Sequence, residues 1–423
     1  MKIKQLANSL GPGLLFAAVS VGVSHLVQST RAGAIYGLAM LVFIGFGLIT
    51  KYPACRFGQQ YAVATRTTLL EAFRKQGTWS LVLVGIITFS VMFTGVAAVT
   101  LVAAGIAKAT FGLNISAVFI SACILIAGMT LLTIGKFHWL DISIKVLVII
   151  MAVSTLAATF FAIPNIDWSL SARFLPEHFD MLTIMFIVGL VGWMPVPLDT
   201  AILQSIWTVA KSHESPTPLD WRSSSVDFHV GYLGSAFLAV CFLLMGTALI
   251  HGSGVKMEGS ASGFATQLIS LYQQSLGDWS KSIISISALA VMLSTVLTLL
   301  DGYPRSIAIL YLRFKSAETP NSKDDQMAMQ AAYLSSMIIL IVGALILQYF
   351  FIKSFIALIA FATAISFITA PFLAWLIHRA MTSSQVPAEL RPGRFLRAYS
   401  LTSVCLLTFF ALYYIYLLIS TSF

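Results

Sequence analysis

Hydrophobic and polar positions in this chain gather into long blocks, with neither the period of two expected of strands nor the one-sided stripe of a soluble helix. Runs with few polar positions cover 11–34, 36–55, 79–108, 115–134, 138–163, 181–210, 228–250, 282–304, 328–352, 354–378 and 397–420. Each can cross a hydrocarbon core of about 30 Å, so eleven transmembrane helices are predicted. Segment 261–277 is shorter and apolar on one side, and predicts a helix lying on the membrane surface. The polar stretches 164–180, 211–227, 316–327 and 381–396 are short loops with no room for a soluble domain.

Two of the runs are broken near their middles. The first carries Gly22-Val23-Ser24-His25 and the second Met194-Pro195-Val196-Pro197. Every backbone N–H and C=O in a bilayer needs a partner, so such breaks survive only where protein or a wet cavity surrounds them. Broken spans in matching positions of two halves mark an inverted-repeat transporter with its cargo held between them. The expected fold class is therefore an all-α membrane protein with a 5+5 inverted repeat. Residues 1–163 form the first repeat, 164–380 the second, and 381–423 a loop with an appended eleventh span.

Composition agrees. Of 423 residues, 58% are hydrophobic and 10% charged, against roughly 25% charged in soluble domains. The net charge of +9 does not point to nucleic acid, because the basic residues sit in loops. Of 25 Lys and Arg, six (Arg31, Lys108, Arg173, Lys256, Lys281, Lys353) fall on one side of the predicted topology and Lys51 and Lys145 near span ends; the other seventeen share the opposite side. The positive-inside rule then predicts a cytoplasmic N-terminus and an external C-terminus. The first run is expected to be retained rather than cleaved as a signal peptide. The compact loops suit a bacterial inner (plasma) membrane. The four cysteines are scattered and predict packing rather than disulfides or a metal site. HExxH, GxSxG and paired intramembrane aspartates are absent, so no enzyme is expected. No cofactor and no obligatory protein partner are expected either.

The breaks carry the candidate chemistry. Gly22 frees the backbone, Ser24 and His25 can donate or accept where the helix unwinds, and Gln28 and Ser29 lie up to a turn beyond. An ionisable group at mid-membrane is costly, so His25 reads as ligand or proton carrier, or as a histidine satisfied by a neighbouring helix. Pro195 and Pro197 remove donors and push Val196 from helical angles. Met194 offers a soft sulfur or fills space. Val191 precedes it as a further substrate-binding candidate, and Trp193 either walls the cavity or fills the core. Asp199 begins a half-helix, where the dipole favours it, and is also a cation or proton site candidate. Asp301 and Arg305 can pair on one helical face as an inner-gate lock. Asp141, near the start of span 5, reads as structural.

These residues resemble a known family. The stretch 11–37 is similar to the first helix of the Nramp proton-coupled divalent-metal transporters: Gly11-Pro12-Gly13 matches their opening motif, and Ala32-Gly33-Ala34 with Tyr36-Gly37 the close of that helix. Met194-Pro195 resembles the Met-Pro-His of span 6, and Ser294-Thr295-Val296 with Gly302 resembles span 8. The resemblance implies a LeuT-type fold and a metal cation as partner, with protons as a second candidate. It also implies departures. The family's Asp-Pro-Gly-Asn falls on Gly22 to His25, its Met-Pro-His histidine on Val196, and its span-3 acids on Val96 and Val99. Met194 alone survives among the side chains that would ligate metal, so His25 and Met194 are the expected metal ligands. Desolvating a dication without a carboxylate costs several kcal/mol. The expectation is an Nramp-like transporter of a transition-type metal cation with altered selectivity and weak or absent proton coupling. The same fold carrying a small anionic or zwitterionic solute is the alternative.

Overall fold

The computed structural model describes residues 12–134, 138–168, 175–214, 219–255, 257–315, 323–352 and 354–422. Gly11, Lys2 and Lys4 lie outside these, and on the helix bearing Asp141 only the backbone is described at that point. Among the described residues no strand occurs.

The first span is divided into α1 (Pro12–Ser20), a turn at Val21–Gly22, a widened π-turn (Ser24–Ser29) and α2 (Thr30–Tyr36). Gly37 takes φ 59°, a left-handed angle that only glycine adopts cheaply, and turns the chain into α3 (Leu41–Thr65). The short α4 (Leu69–Gln76) follows, then α5 (Thr78–Phe111), α6 (Ala117–Ile134) and α7 (His138–Ala162). In the second half, α8 (Met181–Trp193) and α9 (Thr200–Glu214) are the two parts of the second broken span. Then come α10 (Trp221–Leu249), α11 (Ala261–Leu276), α12 (Ser280–Lys315), α13 (Lys323–Phe350), α14 (Phe355–Thr382) and α15 (Arg394–Ser422). Among the described residues, eight continuous helical runs are long and apolar enough to cross a bilayer, Ser24–Thr65 counting once despite its turn; Met181–Trp193 is a shorter apolar helix. Large exposed apolar side chains such as Ile86, Phe89, Phe160, Leu182 and Phe350 are what a lipid-facing surface requires.

Two groups of helices pack against each other. One holds α1, α2, α3, α8, α9 and α10; the other holds α5, α6, α12 and α13. α7 and α14 bridge both groups, and α15 leans on α14 and α3. Helix α11 buries Phe264, Leu268, Leu271 and Tyr272 against its neighbours, one amphipathic face as its sequence predicts. Small residues set the closest crossing. A Cβ on Gly33 would come within 2.8 Å of the Thr247 amide, and one on Gly246 within 2.9 Å of the Ala34 amide, so α2 and α10 meet backbone to backbone.

The second span differs from its expected range of 36–55, since α3 runs on to Thr65. Its polar residues Lys51, Arg56, Gln59 and Gln60 resemble a span end, yet Lys51, Gln59 and Gln60 are buried inside the bundle. Pro53 inside α3 denies the Ile49 carbonyl its helical partner. The Tyr399 hydroxyl of α15 donates to that carbonyl at 2.6 Å.

Candidate binding site at the paired breaks

Backbone groups released at the first break are met locally or by α12. Gly22 N–H turns back to Ser20 O at 2.8 Å, and the Ser24 hydroxyl donates to the same oxygen at 2.7 Å. The Ala18 carbonyl, whose helical partner would have been Gly22 N–H, accepts from the Thr295 hydroxyl at 2.9 Å. Gly22 is small for a reason: a Cβ there would touch the Thr295 side chain at 3.3 Å.

At the second break, Pro195 and Pro197 supply no N–H, and Thr200 N–H bonds Pro197 O at 3.1 Å instead of the Val196 carbonyl. The freed carbonyls of Gly192 and Val196 are taken by one side chain. The Lys51 ammonium donates to Gly192 O at 2.7 Å and to Val196 O at 3.0 Å. Lys51, expected near a span end, is instead fully buried beside the break. Asp199, which begins α9, is 3% exposed and its Oδ2 accepts from the Tyr303 hydroxyl of α12 at 2.7 Å. Both Lys51 and Asp199 are thus buried at the second break, with Asp199 three residues past the Val196 carbonyl that Lys51 engages. Arg31, expected at the outer face, is also buried: its guanidinium lies 5.4 Å over the Phe186 ring and reaches Gln28 Oε1 only at 3.4 Å.

Between the breaks lies a cavity of about 30 Å³, walled by Val19, Val23, Ser24, Gly95, Val99, Trp193, Pro197, Thr200, Thr295, Leu299 and Tyr303. That volume suits one or two waters or a stripped ion. The breaks meet here, with Ser24 Oγ 3.5 Å from Pro195 O. Four side-chain hydroxyls belong to its lining residues, those of Ser24, Thr200, Thr295 and Tyr303, with the Asp199 carboxylate one hydrogen bond behind Tyr303. Val99, on which the resemblance places an acid, is a wall of it.

Of the residues singled out from sequence, Ser24 and Trp193 line this cavity, Gly22 touches its Thr295 wall, and the Trp193 indole is fixed by a 3.0 Å bond to Ser366 Oγ. The others point elsewhere in this conformation. His25 Nε2 lies 2.8 Å from Ser235 O on α10, so it must donate there; Nδ1 stands 2.8 Å from Ser24 Oγ, which has a single proton to offer between this nitrogen and Ser20 O. Met194 sits in an apolar cluster with Met40, Ile44 and Leu243, and Val191 packs beside Phe367 and Tyr414. Gln28 stands near Gly189 and Arg31. Lys51 and Tyr303 were not legible as site residues. A lysine and two glutamines inside an otherwise apolar run were the available signal for the first.

Vestibules approach from both ends. One of about 680 Å³, at the Pro12 end, is lined by Leu15, Trp207, Ser294, Thr298, Asp301, Arg305 and Tyr333 among others. Asp301 and Arg305 pair as their spacing predicts, at 2.6 Å and 3.2 Å, and the Tyr333 hydroxyl joins Asp301 at 2.8 Å. The other, about 320 Å³ at the Tyr36 end, is lined by Tyr36, Asp180, Thr183 and His251 among others. Leu15 and Val19, one turn apart on α1, stand in the first vestibule and in the central cavity respectively.

A family model described as natural resistance-associated macrophage protein-like matches residues 13–417. An uncharacterized protein of Pasteurella multocida, PM0681, is 29% identical over 372 residues, covering 87% of this chain and 83% of its own length. Among solved structures, a mutant of the Eremococcus coleocola manganese transporter aligns with TM-score 0.73 at 15% identity over 96% of this chain and 85% of that one. MhsT in complex with L-phenylalanine aligns at 0.61 with 16% identity, over 95% of this chain and 97% of that one. The nucleobase-cation-symport-1 transporter Mhp1 aligns at 0.59 with 14% identity, over 97% and 93%. The fold is therefore the LeuT type, with broken first and sixth spans.

Proposed function

Because this chain belongs to the Nramp family, we propose that it is a secondary active transporter moving a metal cation by alternating access, with altered selectivity and weak or absent proton coupling. One observation carries the reading: two interrupted helices enclose a small cavity whose otherwise apolar wall includes four hydroxyl-bearing residues, with a vestibule toward each end. The hydroxyls of Ser24, Thr200, Thr295 and Tyr303, backed by Asp199, form a hard donor set suited to oxygen-preferring cations. His25 joins it by exchanging its Ser24 partner, and Met194 by leaving its apolar cluster. Valines at 96 and 99 offer no proton carrier in span 3. We place the two repeats at 1–163 and 164–380, and the protein in a bacterial inner membrane with its N-terminus cytoplasmic and C-terminus external.

The test is reconstitution into liposomes with a panel of divalent cations. Uptake of one of them, reduced by Asp199→Asn and unaccompanied by acidification of the vesicle interior, is the expected result. If no metal crosses and none shifts thermal stability, the metal assignment falls. A second reading, a small anionic or zwitterionic solute, is favoured by two buried cations, Lys51 on the freed carbonyls of the second break and Arg31 beside Gln28. Under it, unlabelled organic solutes block uptake and chelators leave it untouched.

A further inference from the structure

We infer that Lys51 is a tethered cation which does at the second break what a dissociable ion does elsewhere: it holds the freed carbonyls together. Unwound backbone inside a membrane protein presents carbonyl oxygens that cations satisfy. Here two such oxygens, Gly192 O and Val196 O, lie on either side of the cis-linked Met194–Pro195 pair, and one ammonium bridges them at 2.7 and 3.0 Å. Gly192 sits in the last turn of α8, the negative pole of that half-helix, where a positive charge is favoured. The charge arrives on a different helix, α3, across about 140 residues of sequence, so the bridge ties the break to its neighbour. Asp199, three residues past Val196 and itself buried, brings an opposite charge to this region, which makes the ammonium more tolerable in a dry site. The central conformation is therefore assembled without binding a small monovalent ion.

The inference does not rest on the identity of the cargo, and its test reads stability alone. Purified full-length protein and Lys51→Ala are melted in chloride salts of sodium, ammonium, methylammonium and tetramethylammonium at equal ionic strength. The wild type is expected to be indifferent to the cation. Lys51→Ala is expected to unfold several degrees lower in sodium and to recover most of that loss in ammonium or methylammonium, which fit the vacated position, but not in tetramethylammonium. Lys51→Met, which keeps the aliphatic stem in its slot, is prepared in ammonium buffer in parallel, so that a collapse of the alanine variant does not decide the matter. The proposal is overturned if Lys51→Ala melts like the wild type, or if ammonium restores neither variant beyond the sodium control. A wild type stabilised selectively by sodium or potassium overturns it equally.

Discussion

A carboxylate sealed behind a tyrosine is expensive to keep in a membrane interior, and Asp199 is held there by the Tyr303 hydroxyl at 2.7 Å. Tyr303→Phe leaves that carboxylate a donor short, which costs about 1–3 kcal/mol and lowers the melting temperature of the purified protein. Under the proposed metal-transport reading it also frees the carboxylate's orientation, so affinity for a divalent metal is expected to fall by about 10–100-fold in a binding titration. A melting temperature and affinity both equal to wild type would show that the contact does nothing. Asp199 itself was visible in sequence as an acid at a half-helix start. Tyr303 and Lys51 were not, because their meaning lies in partners 104 to 145 positions away. His25 shows the same limit from the other side: its depth in the span was legible, but the Ser235 carbonyl that engages its ring was not.

At the scale of elements, the α2–α10 crossing depends on two missing side chains. Gly246→Ala forces the backbones apart or is rejected, an overpacking cost of about 1–3 kcal/mol that thermal unfolding should register, while Gly45→Ala, which meets open space, leaves stability unchanged. Helix α8 starts at an exposed carboxylate: Thr183 N–H donates to Asp180 Oδ1 at 2.8 Å, and the bonds from Thr183 hold this carboxyl below the usual carboxylate range. A depressed folded value means the cap's contribution is present above the ordinary carboxylate pKa and lost as pH falls through the lowered one. The melting difference between wild type and Asp180→Ala should therefore be full at neutral pH and shrink in acid; a difference constant with pH would contradict the cap. Element existence was readable from apolar runs, since burial and lipid exposure both demand them. The end of α3 was not, because buried Gln59 and Gln60 look like an exit from the membrane until Asp227 and the Leu390 carbonyl are seen to receive them.

For the whole molecule, the two interrupted spans announced the architecture before any contact was known, since their breaks have few lawful settings in lipid. The eleven-fold tally is a different matter: among the described residues, eight runs meet the length and hydropathy required on their own. The Asp301–Arg305–Tyr333 cluster stands at the larger vestibule, and its loss should loosen that entrance. Thr298→Cys, in a background with Cys123→Ser and Cys405→Ser, is expected to react with a water-soluble thiol reagent faster when Asp301→Asn is added. An unchanged rate would mean that the cluster does not guard the vestibule.

The single turn of α1 separating Leu15 from Val19 has an electrical meaning. A wet vestibule conducts, so little of a membrane voltage drops along it, and the field is compressed into the dry layer beyond. Moving one elementary charge through a full 100 mV is worth about 2.3 kcal/mol. Much of that work falls on any step that carries charge over those few ångströms, and the rate of such a step should follow an imposed potential more steeply than its short path suggests.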